Sequence, residues 1–159
     1  MRIKSSESLL LAIDLQGRLL PAIECAETVL ANVVWLVDVA QLIGVPVLAT
    51  EHCPQSLGLV EAGLRARFPL DTIVQKTHFS AVTEGELLQA HGAGRKQWVV
   101  VGTEAHVCVQ QTVLDLLAIG RQVYVVEDAV GSRRSRDKEL ALQRMQQNGA
   151  EIVSREMVV

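Results

Sequence analysis

Three residues at or just after the ends of apolar runs in this sequence carry chemically reactive groups: a carboxylate, an ammonium and a thiol. Asp14 follows LLLAI, Lys76 ends DTIVQK, and Cys108 comes shortly after WVVVG. A carboxylate can take the proton of a thiol, an ammonium can favour the thiolate, and the sulfur can then attack a carbonyl carbon. The three residues are far apart in the chain, so they form one site only if the fold brings the ends of these runs together.

Apolar runs of strand length alternate with helical patterns along the chain. This alternation is typical of βαβ units and of a parallel sheet covered by helices on both faces. Strands are predicted at 9–14, 46–50, 71–76, 98–102, 122–128 and 151–155. We therefore expect an α/β fold, a three-layer α/β/α sandwich with a six-stranded, Rossmann-like parallel sheet. Ligands of such sheets bind beyond the carboxyl ends of the strands, which places Asp14, Lys76 and Cys108 at one edge.

Helical spacing of apolar residues predicts helices between these strands. The patterns are Ala26 to Ala40 before Gly44, a capping-box match at Thr83 to Glu86, Val109 to Leu117 before Gly120, and a last helix marked by Leu140, Leu142 and Met145. The segment 51–69 is longer than an ordinary loop, and long loops in compact domains are often functional.

Length and composition limit the classes of function. A chain of 159 residues fits a single domain, which we expect over 1–159, and a net charge of −3 is unfavourable for binding nucleic acid. The N-terminus does not match a signal peptide, and the apolar runs are shorter than the ~20 residues that span a bilayer. Three widely spaced cysteines, without metal-ligand spacing, suit a reducing compartment. We expect a cytoplasmic protein that binds a small molecule, with neither nucleic acid nor membrane as a partner.

The position of Cys108 at the start of a helix suggests a specific reaction. The helix N-terminus and a nearby Lys76 would favour the thiolate, and would therefore lower the pKa of the thiol. Backbone N–H groups at the same place could stabilise the oxyanion that forms when sulfur attacks a carbonyl. Asp14 could accept the thiol proton and later pass it to a leaving amine. Together these groups describe acyl transfer to cysteine followed by hydrolysis.

Each of the three residues also has a purely structural interpretation. Cys108 could be a small buried apolar residue, Asp14 a turn cap, and Lys76 a solvated charge. Their common position at one edge favours function. Other cysteine chemistries fit less well: an HC-x5-R phosphatase loop would need arginine where Leu114 stands, and an amidotransferase or glyoxalase-like site would need differently placed His or Glu partners. The first strand runs into DLQGRLLP, which lacks a phosphate-binding glycine motif.

Four motifs resemble those of the isochorismatase-like cysteine hydrolases, a family that includes nicotinamidases and N-carbamoyl amidases. They are AIDLQ, KTHFSA, GTEAHVCVQQT and VEDAVGSR, and the resemblance covers essentially the whole chain. It implies a catalytic triad of Asp14, Lys76 and Cys108, an α/β/α fold and homo-oligomers, dimers or larger. It also implies a non-proline cis peptide between Thr103 and Glu104, which would aim the N–H groups of Glu104 and Cys108 into an oxyanion hole.

The loop after the second strand departs from the nicotinamidase pattern. Nicotinamidases hold a metal there through an Asp-x-His pair, whereas this chain reads TEHCPQ, so we expect no metal, no other cofactor, and a substrate other than nicotinamide. The loop TEHCPQSLG instead resembles a small isochorismatase-domain subgroup with a TE-x-x-P-x-x-LG pattern. Glu51, His52 and Phe79 are candidates for the substrate pocket. We expect His106 at a helix start or subunit contact and Asp128 at a turn, and His78 has no assigned role.

These observations predict a cysteine hydrolase that cleaves a small carboxamide or a related C–N bond. Cys108 would form a thioester, Asp14 would act as general acid and base, and Lys76 would stabilise the thiolate. The alternative is a non-catalytic protein of the same fold, either an oligomeric scaffold or a small-ligand-binding protein.

Overall fold

A single sheet forms the centre of the structure, a computed structural model that describes residues 2–159. Six strands are present in this part of the chain: β1 (Ser8–Ile13), β2 (Val47–His52), β3 (Ile73–Lys76), β4 (Gln97–Thr103), β5 (Gln122–Gly131) and β6 (Glu151–Val153). All neighbouring strands are parallel, in the order β3-β2-β1-β4-β5-β6. The predicted six-stranded, Rossmann-like parallel sheet is therefore confirmed.

Helices and short helical turns connect the strands. They are α1 (Ala26–Leu42), α2 (Pro54–Leu57), α3 (Ala62–Arg65), α4 (Glu86–Gln89), α5 (Gln110–Ala118), α6 (Ser135–Gln147) and α7 (Arg155–Val158), with 3-10 turns at Ser5–Glu7, Leu20–Ala22 and Leu70–Thr72. A π turn, Ala105–Val109, leads directly into α5. Within residues 2–159, no helix combines the length and the hydrophobicity that crossing a membrane requires.

The sheet is buried on both faces, which explains why its strands read as continuous apolar runs rather than as alternating ones. All six residues of β1 are buried. Successive side chains alternate between the faces: Leu10 and Ala12 pack in the cluster that contains α1, and Leu9, Leu11 and Ile13 pack in the cluster that contains α5 and α6. The two clusters, one on each side, produce the three-layer α/β/α sandwich.

One detail of the predicted helices is wrong, and the last helix is present but does not bury all of its apolar residues. Thr83 and Glu86 form no capping box: α4 begins after Gly85, whose φ of +82° ends the preceding turn, and the α4 N-terminus has no side-chain cap. Leu140 is 46% exposed, whereas Ala141 and Met145 of the same helix are buried. The reason is geometric, because residues four apart share a helix face and Leu140 lies about 100° away from that face.

Candidate active site

The three chemically capable side chains lie at the carboxyl edge of the sheet. Asp14 directly follows β1, Lys76 is the last residue of β3, and Cys108 lies in the π turn between β4 and α5. All three are almost fully buried, at 0%, 3% and 5% exposure. Lys76 Nζ lies 2.8 Å from Asp14 Oδ2, so a buried ion pair joins two strand ends. A buried ion pair needs further hydrogen bonds to offset the cost of removing both charges from water.

The neighbouring strands supply those bonds to Asp14. Thr50 Oγ1 donates to Asp14 Oδ1 over 2.7 Å, and Thr103 Oγ1 donates to the Asp14 main-chain oxygen over 2.7 Å. Asp14 has a φ of +50°, a left-handed conformation that aspartate tolerates better than most residues. Thr50 of β2 therefore fixes the carboxylate of Asp14, and Thr103 of β4 fixes its main chain. Sequence analysis did not identify Thr50, and it named Thr103 only for the cis peptide.

The chain around Lys76 folds back to satisfy its ammonium group. Lys76 Nζ donates to the carbonyl oxygens of His78, over 3.1 Å, and Phe79, over 3.0 Å. With Asp14, these acceptors can use all three ammonium protons. The carboxylate of Glu84 closes this loop, because its Oε1 accepts from Thr77 N over 2.9 Å and pairs with His78 Nδ1 at 2.7 Å. The Thr77 hydroxyl also donates to Glu84 Oε1. Together these hydrogen bonds lower the pKa of Glu84 to about 2, and the bond from the Thr77 hydroxyl has the largest effect.

The thiol of Cys108 is a weaker acid than the sequence suggested. Burial raises the pKa of Cys108 to about 12, the negative charge of Asp14 acts in the same direction, and the positive charge of Lys76 opposes both. Lys76 acts in the expected direction, but the expectation of a lowered pKa is wrong, because desolvation penalises the thiolate more than the cation favours it. The resting thiol is protonated, so any nucleophilic role requires a base, and Asp14 is the neighbouring carboxylate.

The turn between β4 and Cys108 has an unusual backbone. The peptide bond between Thr103 and Glu104 is cis, at the position that the family resemblance indicated. The carbonyl oxygen of Glu104 accepts from the amides of Val107, over 3.0 Å, and Val109, over 3.1 Å. These two residues flank Cys108, and the resulting π turn is a feature often found at functional sites.

The rings of His52 and Phe79, the two candidate pocket residues, contact each other beside this site. Their ring centroids lie 5.4 Å apart with a tilt of 35°, and Phe79 is 50% exposed. Burial lowers the pKa of His52, and the positive charge of Lys76 lowers it further. The His52 ring is therefore neutral at pH 7, so neither ring carries a charge.

Glu51 does not line this pocket, which corrects the sequence interpretation. Its side chain is fully buried, Oε2 accepts from Val60 N over 2.9 Å, and the same oxygen lies 3.9 Å from Arg65 Nε. Successive residues of a strand face opposite sides, so Glu51 points away from the side of Thr50 and His52. Glu51 instead anchors the long loop between β2 and β3.

Gln16 is a second anchor of that loop, and sequence analysis did not identify it. The side chain is fully buried. Its Oε1 accepts from His52 N over 2.8 Å, and its Nε2 donates to the carbonyl oxygens of His52, over 3.0 Å, and Gly58. The only sequence signal is an amide two residues after Asp14. Gln16 fixes the backbone of His52 beside β1, and with it one wall of the site.

The remaining candidates have structural contacts. His106 Nδ1 lies 2.8 Å from Ser132 Oγ, at the helix start that was expected. Asp128 lies inside β5, which is longer than predicted, and its Oδ1 accepts from Arg155 N at the start of α7 over 2.9 Å. Among residues 2–159, no group of three or more His, Cys, Asp or Glu side chains is placed to hold a metal ion.

Comparison with known proteins identifies relatives over nearly the whole chain. The Isochorismatase domain model matches residues 8–157. Isochorismatase domain-containing protein 1 from Salmo salar is 36% identical over 92% of this chain, which spans about half (52%) of that protein's length. The structure of MAR1 ribonuclease from Caenorhabditis elegans is 34% identical, with a TM-score of 0.89 over 98% of this chain and 81% of that one. The YcaC gene product of Escherichia coli, an octameric hydrolase of unknown specificity, is 26% identical, with a TM-score of 0.94 over 99% and 80%.

Proposed function

The chain belongs to the isochorismatase family, and we propose that it is a cysteine hydrolase that cleaves a small carboxamide or a related C–N bond. The observation that carries this proposal is the buried Asp14–Lys76 ion pair, with a separation of 2.8 Å, beside the buried thiol of Cys108. A structural cysteine does not need a buried carboxylate and ammonium next to it, and their burial is costly. A nucleophile whose pKa is about 12 does need a base.

In the first half of the proposed reaction, Asp14 accepts the proton of Cys108 while the sulfur attacks the carbonyl carbon. The electron pair of the C=O bond moves to oxygen, and the N–H groups of Glu104 and Cys108 stabilise that oxyanion. Asp14 then donates its proton to the leaving nitrogen as the C–N bond breaks, which leaves a thioester on Cys108. Lys76 limits the build-up of negative charge on the sulfur and on Asp14 throughout.

In the second half, water replaces the thiol as the nucleophile. The oxygen of a water molecule attacks the thioester carbon while Asp14 accepts a proton from that water. The same backbone N–H groups stabilise the oxyanion. The C–S bond then breaks, the acid leaves, and Asp14 returns the proton to the sulfur. The cycle consumes one water and requires no cofactor, and it uses Asp14 alternately as base and acid.

The pocket residues favour a small, uncharged substrate. His52 and Phe79 offer two tilted rings, and the lowered pKa of His52 keeps its ring neutral at pH 7. Flat, weakly polar groups stack well on such rings. We propose that the non-reacting part of the carboxamide lies against His52 and Phe79, while its carbonyl carbon faces Cys108.

Two properties of relatives bear on the partners of this chain. The E. coli relative is octameric, and we propose that this chain also forms a homo-oligomer, which light scattering at micromolar concentration would test. The C. elegans relative is called a ribonuclease, but a net charge of −3 disfavours a polyanionic substrate here. We therefore propose a small molecule rather than RNA.

The test is a screen for ammonia release from a panel of small aliphatic and aromatic carboxamides and N-carbamoyl compounds. For any substrate found, Cys108→Ala and Asp14→Asn are expected to abolish turnover, whereas Cys25→Ala serves as the matched control because Cys25 is exposed. Mass spectrometry after rapid acid quenching should detect a single acyl group on Cys108. Turnover that survives Cys108→Ala would remove the thiol from the mechanism. Binding without turnover across the panel would favour the non-catalytic alternative.

A further inference from the structure

The proposed oxyanion site contains an unfavourable charge of its own. Glu104 would supply a backbone N–H to the oxyanion, yet the side chain of the same residue is a carboxylate that is only 14% exposed. A negative charge so close to the site opposes the formation of a second one, and burial reduces the screening by water. The charge of Glu104 must therefore be compensated if the N–H is to act as proposed.

The structure places two partners on the Glu104 carboxylate. Arg133 Nε donates to Glu104 Oε2 over 3.1 Å, and His106 Nε2 lies 3.8 Å from the same oxygen. His106 is held in turn by Ser132, whose Oγ lies 2.8 Å from His106 Nδ1 and which is itself almost fully buried, at 2% exposure. The Oε2 atom of Glu104 thus accepts a hydrogen bond from a cation and lies near an anchored imidazole.

Arg133 and Ser132 come from the segment that follows β5. Gly131, the last residue of β5, pairs with Thr103, so these two residues emerge beside Glu104. The carbonyl oxygen of Ser132 accepts from Glu24 N over 3.0 Å, which fixes the position of this segment. Much of the Arg133 side chain is solvated, since it is 57% exposed, but its Nε is bound to Glu104.

We propose that Arg133 is a positioning residue for the oxyanion site: it compensates the charge of Glu104 and, with His106 and Ser132, fixes the direction of the Glu104 N–H. This inference rests on the proposed function, because it assigns a purpose to the charge next to the proposed oxyanion hole. Arg133 acts through Glu104 and does not touch the substrate.

The experiment uses 1,1,1-trifluoroacetone, whose fluorines favour an ionised oxygen after a thiol adds to its carbonyl carbon. In that addition the S–C bond forms, the carbonyl π electrons move to oxygen, and Asp14 accepts the thiol proton. Binding is measured as protection of Cys108 from iodoacetamide, read by peptide mass spectrometry. Alkylation by iodoacetamide displaces iodide at a saturated carbon and forms no oxyanion, so its rate without the ketone reports the thiol alone.

Arg133→Gln is expected to weaken protection by about twofold to fivefold, the effect of one partly exposed ion pair, without changing the alkylation rate in the absence of ketone. The double variant Glu104→Gln/Arg133→Gln should restore protection, since the uncompensated charge is gone, and Arg133→Lys should restore part of it. Arg136→Gln is the matched control, because Arg136 pairs with exposed Glu139 in the same segment and should change nothing. High salt should reduce the effect of Arg133→Gln.

The outcomes separate this inference from the function on which it rests. Unchanged protection in Arg133→Gln would overturn only the role of Arg133 and leave the proposed function standing. The same holds if the double variant is protected as weakly as the single one. Failure of the ketone to protect the unaltered protein would overturn the proposed oxyanion site, and the inference with it. A merely structural role for Arg133 would lower the melting temperature and would not be reversed by Glu104→Gln.

Discussion

Replacing Gly102 by alanine would place a methyl group against the backbone of β1. A Cβ at this position would lie 2.1 Å from the Ile13 carbonyl oxygen and 2.6 Å from Ile13 N, and Gly102 has a φ of +125°. These atoms are main chain, so no side-chain rotation can relieve the overlap. β1 and β4 would have to separate at Ile13 and Gly102, which are paired in the sheet.

The magnitude follows from two costs. A positive φ costs an alanine about 1 to 2 kcal/mol relative to glycine. Overpacking in a core costs a further ~1 to 3 kcal/mol, and the upper end applies because the overlapping atoms belong to the backbone. We expect Gly102→Ala to lower the free energy of unfolding by about 4 to 5 kcal/mol in total, and the melting temperature by roughly 8 to 20 °C for a chain of this length.

Two further glycines separate these costs. Gly120 has a φ of +83° but no heavy atom within 4 Å of an added Cβ among residues 2–159, so Gly120→Ala should show only the backbone cost. Gly94 is equally open within this part of the chain and has no positive φ, so Gly94→Ala should be close to neutral. Urea unfolding of the three variants, followed by circular dichroism, should rank them in that order.

The reasoning would be refuted if Gly102→Ala and Gly120→Ala lost the same free energy of unfolding, because the approach of the two strands would then carry no cost. The site provides a second readout. Ile13 directly precedes Asp14, and Thr103, next to Gly102, donates to the Asp14 carbonyl oxygen. The folded fraction of Gly102→Ala should therefore also lose hydrolytic activity, whereas Gly120→Ala should keep it.

Three other predictions concern the groups around the ion pair. Thr50→Val removes the donor to Asp14 Oδ1 and should lower the free energy of unfolding by about 1 to 3 kcal/mol in urea; no loss would mean that this bond contributes nothing. The pKa of Glu84, about 2, lies below its ordinary value of 4.5, so its contribution to stability is present above pH 4.5 and is lost as the pH falls towards 2. Urea unfolding should therefore show a larger difference between Glu84→Gln and the unaltered protein at pH 7 than at pH 3, and equal differences would contradict the assignment. Alkylation of Cys108 by iodoacetamide should still rise with pH above 9, because burial and the charge of Asp14 raise the pKa of this thiol to about 12; a rate that levels off below pH 9 would argue against that pKa, with Cys25 as internal control.

The fold was predictable because its determinants are local. Continuous apolar runs such as LLLAI can only be strands buried on both faces or parts of buried helices, and their length and spacing select strands. The stop signals Gly44 and Gly120 follow α1 and α5 closely. Leu140 shows the limit of this approach, since hydrophobicity alone did not reveal which side of α6 faces the sheet.

The candidate site was predictable in its residue types and in its location. Asp14, Lys76 and Cys108 each follow a strand, and parallel strands bring their carboxyl ends to one edge. Which of their neighbours support them was not predictable. Gln16 and Thr103 act through contacts with residues distant in the chain. Glu84 acts through the folding back of the segment after Lys76, and Glu51 points away from the pocket because of the strand register.

The sequence by itself therefore determined the sheet, the edge at which the reactive groups lie, and the kinds of group found there. The reason is that the spacing of apolar residues and the residue types are properties of short segments. Tertiary structure alone decided the acidity of Cys108. The pKa of that thiol depends on burial and on its distances from Asp14 and Lys76, which come from different strands. Desolvation depends on every atom that excludes water from a group, and no short segment contains that information.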